Sequence, residues 1–83
     1  MHYYDVLSSM KTRPAHRKRL GNRIRAYRNN LGFSQEKLAE IMDCHRNYIG
    51  KVERGEQNLT VDMLARLAKS LKRKPSELIK GMD

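Results

Sequence analysis

Apolar residues recur every three or four positions along most of this chain, which is the spacing of one face of an α-helix. No segment alternates apolar and polar residues beyond four positions, so the pattern does not favour β-strands. Residues 1–14 show no sustained period, and Pro14 restricts the residue before it. The pattern therefore predicts an all-α domain over residues 15–83, preceded by an arm of undetermined order over residues 1–14.

Capping residues and glycines divide the helical pattern into five short helices. Ser34 and Thr60 are expected to cap the second and fourth helices, because a hydroxyl oxygen accepts a hydrogen bond from a free backbone N–H. Gly32 and Gly55 should end the first and third, and Pro75 suits the first turn of the fifth. The predicted helices start at about Ala15, Gln35, Arg46, Val61 and Ser76. The residues predicted to face the core are Leu20, Ile24, Tyr27, Leu31, Leu38, Ala39, Met42, Ile49, Val52, Val61, Leu64, Leu67, Ala68 and Leu71.

Length and composition restrict the class of protein. A chain of 83 residues buries only roughly 60% of its extended surface, which leaves room for one small core. The chain contains no run of 18 apolar residues that could form a transmembrane helix, and its first 20 residues lack the apolar segment of a secretory signal. The single cysteine, Cys44, cannot form an internal disulfide. We therefore expect a cytoplasmic protein without membrane contact.

The charge is strongly positive and unevenly distributed. The formal net charge is +9, and residues 1–35 carry eight basic residues against one acidic residue. A surface of one sign attracts a polyanion, and nucleic acid is the commonest. The alternative is a solvated helix face or a disordered basic arm that binds nothing.

Catalytic and metal sites are not indicated. The histidines His2 and His16 lie far from the adjacent pair Cys44 and His45, whereas a metal site needs three or four ligands at workable spacing. No nucleophile–base set or phosphate-binding glycine loop is present. We expect no enzyme activity, no metal and no cofactor.

The segment from Ser34 to Gly55 consists of two short helices joined by a tight turn, with the sequence SQEKLAEIMDCHRNYIGKVERG. Such a pair can lay its first helix across a DNA backbone while the second enters a major groove. The segment resembles the Cro/phage-repressor (XRE) helix-turn-helix family, and the likeness continues through the first and fourth helices. The run EQNLTVDMLARLAKSL also resembles the restriction–modification controller proteins of that family. The resemblance implies a compact, five-helix, lambda-repressor-like domain that binds DNA.

The resemblance also implies which residues contact DNA. The expected base-contacting residues are Gln35, Arg46, Asn47, Lys51 and Gln57. The expected backbone-contacting residues are Ser34, His45, Tyr48, Arg54 and Asn58. Arginine can form two hydrogen bonds with guanine, and asparagine can do so with adenine.

Four further positions need comment. Arg28 and Glu53 match a pair that forms an ion pair between the first helix and the end of the third in this family; the alternative is two unrelated surface charges. Asp43 stands where the family's turn usually has glycine, and aspartate tolerates the left-handed region better than most residues. His45 replaces the usual Ser/Thr cap of the recognition helix, and Gly50 weakens that helix.

The sequence thus predicts a transcriptional regulator that binds a pseudo-palindromic operator as a homodimer. One unit reads only a few base pairs, so two are normally needed. We expect the dimer interface at the C-terminal end, formed by Leu71, Leu78, Ile79 and Met82. Two alternatives stay open: the antitoxin of a toxin–antitoxin pair, and a non-specific nucleic-acid binder. RNA polymerase stays open as a partner, because activating members of the family contact it through acidic residues on the second helix, where Glu36 and Glu40 lie here.

Overall fold

The computed structural model describes residues 14–82, which form five α-helices and, within that range, no strand. The helices are α1 (Pro14–Asn30), α2 (Gln35–Met42), α3 (Arg46–Glu53), α4 (Val61–Ser70) and α5 (Pro75–Ile79). None of these five is long and apolar enough to cross a membrane. The predicted all-α, five-helix fold is confirmed. The predicted arm lies outside the described residues except for Pro14, which is the first residue of α1.

Local side-chain caps determine where three helices begin. Ser34 Oγ accepts a hydrogen bond from the Lys37 N–H at 3.0 Å, and Thr60 Oγ1 accepts one from the Met63 N–H at 3.2 Å. Both predicted N-caps are therefore confirmed. At the start of α3 the ring nitrogen Nδ1 of His45 accepts from the Asn47 N–H at 3.0 Å. A histidine thus performs the role that serine or threonine usually performs.

Residues with positive φ end the first three helices. Gly32 follows α1 with φ of 73°, and Gly55 follows α3 with φ of 75°. Asp43 caps α2 with φ of 54°, so the predicted tolerance of aspartate in this turn is confirmed. The turn between α2 and α3 is short because Asp43 reverses the chain within three residues.

The core lies between the five helices, and most of the predicted core residues are in it. Leu20, Ile24, Leu38, Ala39, Met42, Ile49, Val52, Leu67, Ala68 and Leu71 are buried, together with Leu59 and Leu78. Tyr27, Leu31 and Leu64 are partly buried against this cluster. Val61 was predicted to be buried but is 49% exposed. That prediction is wrong because Val61 opens α4, at the edge of the face that the other helices cover.

The first helix crosses close to the end of α3. A Cβ atom on Gly21 would lie 2.5 Å from the carbonyl oxygens of Val52 and Glu53, closer than any side chain can approach. A Cβ on Gly55 would lie 2.9 Å from Lys18 Cα. Glycine at these two positions lets the backbones of α1 and α3 approach each other. The close contact leaves the opposite face of α3 towards solvent.

Candidate nucleic-acid interface

The start of α2 and the outer face of α3 line an open, concave pocket of about 290 Å³. Its lining combines three cationic side chains with two amides and a glycine and contains no carboxylate. The lining residues are Gln35, Arg46, Asn47, Gly50, Lys51 and Arg54. Cationic and amide donors side by side suit a partner with anionic oxygens and hydrogen-bonding base edges.

Most of the predicted base-contacting residues therefore meet at one surface. Gln35, Arg46, Asn47 and Lys51 line the pocket together. The fifth, Gln57, lies in the loop after α3, where its Nε2 donates to the Asn58 carbonyl at 3.4 Å, a long bond. Gln57 is half-buried and is not part of the pocket lining.

Gly50 shapes the floor of the pocket. A Cβ atom there would lie 3.0 Å from Arg54 Nη1 and 3.9 Å from Gln35 Oε1. A side chain at this position would displace the exposed end of Arg54 and occupy part of the pocket. The absence of a side chain at Gly50 keeps this surface open. Glycine within a helix costs about 0.5–1 kcal/mol relative to alanine.

A buried ionic network supports the pocket from behind. Arg28 Nε donates to Glu53 Oε2 at 2.6 Å, and Arg28 Nη2 donates to Glu53 Oε1 at 3.0 Å. Gln35 Nε2 donates to the same Oε1 at 3.1 Å, and Arg25 Nε donates to it at 3.3 Å. Arg28 Nη1 also donates to the Phe33 carbonyl at 2.8 Å. The structure thus brings Arg28 and Glu53 together as expected from the resemblance, and it connects them to Gln35 at the pocket.

The charge state of Glu53 follows from this network. Its side chain is fully buried, which by itself would raise the pKa of the carboxyl. The hydrogen bonds from Arg28 and Gln35 and the charge of Arg28 outweigh that effect and hold the pKa below its ordinary value. The same pairing raises the pKa of Arg28. The pair is therefore ionised at neutral pH and fixes the end of α3 on α1.

The predicted backbone-contacting residues are in varied environments. Arg54 is exposed and pairs with Glu56 at 2.9 Å, and Asn58 Oδ1 accepts from Arg17 Nη1 at 2.6 Å. The exposed residues Ser34 and His45 use one side-chain acceptor each for capping.

Tyr48 differs from these residues because its ring is half-buried against the core, and burial raises its pKa. The neighbouring Cys44 is also half-buried against the core, and burial raises the pKa of its thiol. Both side chains therefore contribute to packing beneath α3.

The four predicted dimer residues divide into two groups. Leu71 and Leu78 are 1% and 0% exposed, so their side chains belong to the core of the protomer itself. Arg23 Nη1 donates to the Leu78 carbonyl at 3.0 Å, which ties α5 to α1. Ile79 is 44% exposed and Met82 is half-buried. Leu71 and Leu78 are therefore packed within the protomer, because α5 lies against α1 and α4. Of the four, Ile79 and part of Met82 remain exposed for contact with a partner.

Sequence reasoning missed several residues that organise this surface. Gly21 allows the close crossing of α1 and α3, Arg25 joins the Glu53 network, and Arg17 holds Asn58. Glu36 lies with its Oε1 2.6 Å from Arg46 Nε. These contacts connect residues up to 41 positions apart. The local spacing of residue types contains no signal for them.

The chain is similar in sequence and in structure to known helix-turn-helix proteins. Residues 24–78 match a family model described as Helix-turn-helix. Control protein C.SmaI of Serratia marcescens is 54% identical over 52 residues, which cover 63% of this chain and 62% of that protein. The restriction-modification controller protein C.AhdI of Aeromonas hydrophila is 39% identical, with a TM-score of 0.73 over 77% of this chain and 97% of that chain. The biofilm master regulator SinR, solved in complex with DNA, is 29% identical, with a TM-score of 0.69 over 74% of this chain and 98% of that chain.

Proposed function

This chain belongs to the helix-turn-helix family, and we propose that it is a sequence-specific DNA-binding transcriptional regulator. The observation that carries the proposal is the pocket between α2 and α3, lined by three cations and two amides without a carboxylate. A helix with such a face can enter a major groove, where base edges present acceptors and donors in a sequence-dependent pattern. The net charge of +9 supplies the attraction to the DNA backbone.

Each residue of the pocket has a proposed role. Arg46 forms two hydrogen bonds with a guanine, and Asn47 does so with an adenine. Lys51, about one helical turn after Asn47, reaches a guanine or a phosphate. Gln35 contacts a phosphate or a base edge at the start of α2. Its amide is already oriented by Glu53, which supports this role.

The outer residues hold the DNA backbone in this proposal. Arg54 and Asn58 contact phosphates at the end of α3, while Ser34, His45 and Tyr48 contact the backbone along the groove. Gln57 is proposed as a base reader from the loop. The exposure of Arg54 and Asn58 supports their part, because phosphates are reached only from the surface.

We further propose that the protein acts as a homodimer on a pseudo-palindromic operator, as a controller protein of a restriction–modification system. The likeness to C.SmaI and C.AhdI supports the controller role. Two recognition helices about 34 Å apart would meet successive major grooves. The exposed Ile79, with Met82, is the proposed centre of the dimer interface. The protein would act in the cytoplasm, without catalysis.

Selection of bound duplexes from a random library tests the proposal. A regulator of this type enriches one motif with two inverted half-sites, and it binds that motif with two protomers per duplex. Failure to enrich any motif at fixed salt would favour a non-specific binder. Capture of one defined toxin chain by the full-length protein would favour the antitoxin role, and capture of RNA polymerase would indicate activation.

Arg46→Ala provides the residue-level test. The variant should lose about 1–3 kcal/mol of binding free energy on the selected motif and relax one base position, because two base contacts disappear. Binding to a scrambled duplex should change much less. Equal losses on the two duplexes would show that Arg46 does not read a base.

A further inference from the structure

The base-reading arginine proposed above has an anionic neighbour inside the protein. Arg46 opens α3, and its Nε lies 2.6 Å from Oε1 of Glu36 in the first turn of α2. Both side chains are more than half exposed, at 54% for Arg46 and 63% for Glu36. The pKa of Glu36 is below its ordinary value, first because its carboxylate accepts from its own backbone N–H, and further because Arg46 is close. The carboxylate is therefore ionised when DNA approaches at neutral pH.

The chemistry of the guanidinium allows this contact to coexist with base recognition. A guanidinium carries five N–H donors distributed over Nε, Nη1 and Nη2. Because Glu36 engages Nε, the end formed by Nη1 and Nη2 can still donate two parallel hydrogen bonds to O6 and N7 of a guanine. A flexible arginine would otherwise lose rotamer freedom on binding, and the ion pair reduces that loss.

The negative charge distinguishes between the two kinds of DNA acceptor. A phosphate is an anion, so the Glu36 carboxylate repels it from the Arg46 guanidinium. The O6 and N7 atoms of guanine carry no net charge, so the repulsion is much weaker. An unfavourable interaction with the wrong acceptor raises specificity even when it lowers total affinity.

We propose that Glu36 is a positioning residue that makes Arg46 selective for a guanine over a backbone phosphate. The proposal rests on the proposed function, since it assumes that Arg46 faces DNA. The alternative role of Glu36 is local: an acidic residue in the first turn stabilises a helix through the helix dipole. That role would change the stability of α2 but not the preference between two duplexes.

The test is the ratio of dissociation constants for a scrambled duplex and the selected duplex, measured with the full chain by fluorescence anisotropy at fixed salt. In Glu36→Gln the scrambled duplex should bind more tightly, and the ratio should fall by about three- to fivefold, the upper range for one exposed ion pair. Partial unfolding of the variant would weaken binding to both duplexes by the same factor. The ratio is therefore insensitive to a purely structural effect.

Glu40→Gln is the matched control. It removes the same charge from the same helix, but its carboxylate lies 3.8 Å from Lys37 Nζ and is paired away from Arg46. This variant should tighten binding to both duplexes by the same factor and leave the ratio unchanged. Glu36→Asp, which keeps the charge but shortens the side chain, should lower the ratio because the contact with Nε is lost.

The remaining outcomes separate the two proposals. In an Arg46→Ala background, Glu36→Gln should leave the ratio unchanged, since the group that Glu36 positions is absent. If the wild-type protein discriminates between the duplexes while Glu36→Gln discriminates equally well, the role of Glu36 is wrong and the proposed function stands. An equal fall of the ratio in Glu40→Gln would also overturn it, because charge alone would then explain the effect. A wild-type protein that binds both duplexes equally would overturn both proposals.

Discussion

Replacement of Glu53 by alanine should destabilise the fold more than any exposed charge substitution. The Glu53 carboxylate is fully buried and accepts hydrogen bonds from Arg28, Gln35 and Arg25. The Arg28 side chain is only 11% exposed, so the variant leaves a largely buried cation without its counterion. Breaking a buried ion pair by removing one partner typically costs about 3–5 kcal/mol.

The surroundings of Arg28 indicate that the cost of Glu53→Ala lies at the lower end of that range. Arg28 keeps its hydrogen bond to the Phe33 carbonyl at 2.8 Å, and it keeps some contact with water. We therefore expect a loss of about 3 kcal/mol in the free energy of unfolding. A domain of this length has a total stability of roughly 4–12 kcal/mol, so such a loss would remove between about a quarter and three quarters of it.

Urea unfolding followed by circular dichroism measures this loss. Glu56→Ala is the matched control, because Glu56 forms an ion pair of similar length with Arg54 but both side chains are more than half exposed. Exposed pairs contribute little, so the control should unfold almost as the wild type does. The double variant Arg28→Met with Glu53→Leu should recover part of the stability, since no unpaired charge remains buried.

The pH dependence of unfolding gives a second readout of the same pair. The pKa of Glu53 is lower in the folded protein than its ordinary value. Its contribution is therefore complete above the ordinary glutamate pKa of about 4.3 and is lost as the pH falls through the folded-state pKa. A Glu53→Gln variant should lack this part of the acid destabilisation. Additive effects below about 1 kcal/mol for single changes at Arg28 and Glu53 would refute the reasoning, because such values belong to exposed charges.

Three further predictions concern packing, assembly and backbone contacts. Gly21→Ala should lower the free energy of unfolding by about 1–3 kcal/mol in urea melts, because its Cβ would collide with two carbonyl oxygens of α3. Asn22→Ala, at the exposed neighbouring position of the same helix, is the control and should unfold almost as the wild type does. Ile79→Asp should abolish a dimer detected by sedimentation equilibrium, and a wild-type monomer at high micromolar concentration that binds DNA one-to-one would contradict the interface. Arg54→Ala should weaken binding to all duplexes about equally and reduce the salt slope by up to about 1, whereas an unchanged slope would exclude a phosphate contact.

The elements that depend on contacts between neighbouring residues could be predicted from the sequence alone. The caps at Ser34 and Thr60 and the glycine stop at Gly32 involve atoms within a few positions, and each was predictable from residue type. The apolar spacing likewise identified the buried faces of α2 and α3. The prediction that Val61 is buried was wrong, because spacing shows which residues share a helix face but not how far along the helix that face is covered.

The candidate site was predictable only as a set of residue types on one helix face. Gln35, Arg46, Asn47 and Lys51 followed from the family resemblance, and they meet in one pocket in the structure. Their supporting contacts required the fold. The bond from Gln35 to Glu53 and the ion pair of Glu36 with Arg46 depend on the angle between α2 and α3.

The packing of α1 and α5 against the rest of the domain could not be predicted from the sequence. The absence of a Cβ at Gly21 matters because the carbonyls of Val52 and Glu53 lie above it, and no local pattern contains that information. Leu78 was predicted to lie in a dimer interface, but it is fully buried because α5 packs against α1 and α4, and Ile79 at the next position is exposed. The physical reason is the same in both cases: periodicity describes one helix, whereas burial and close approach depend on where several helices lie relative to one another.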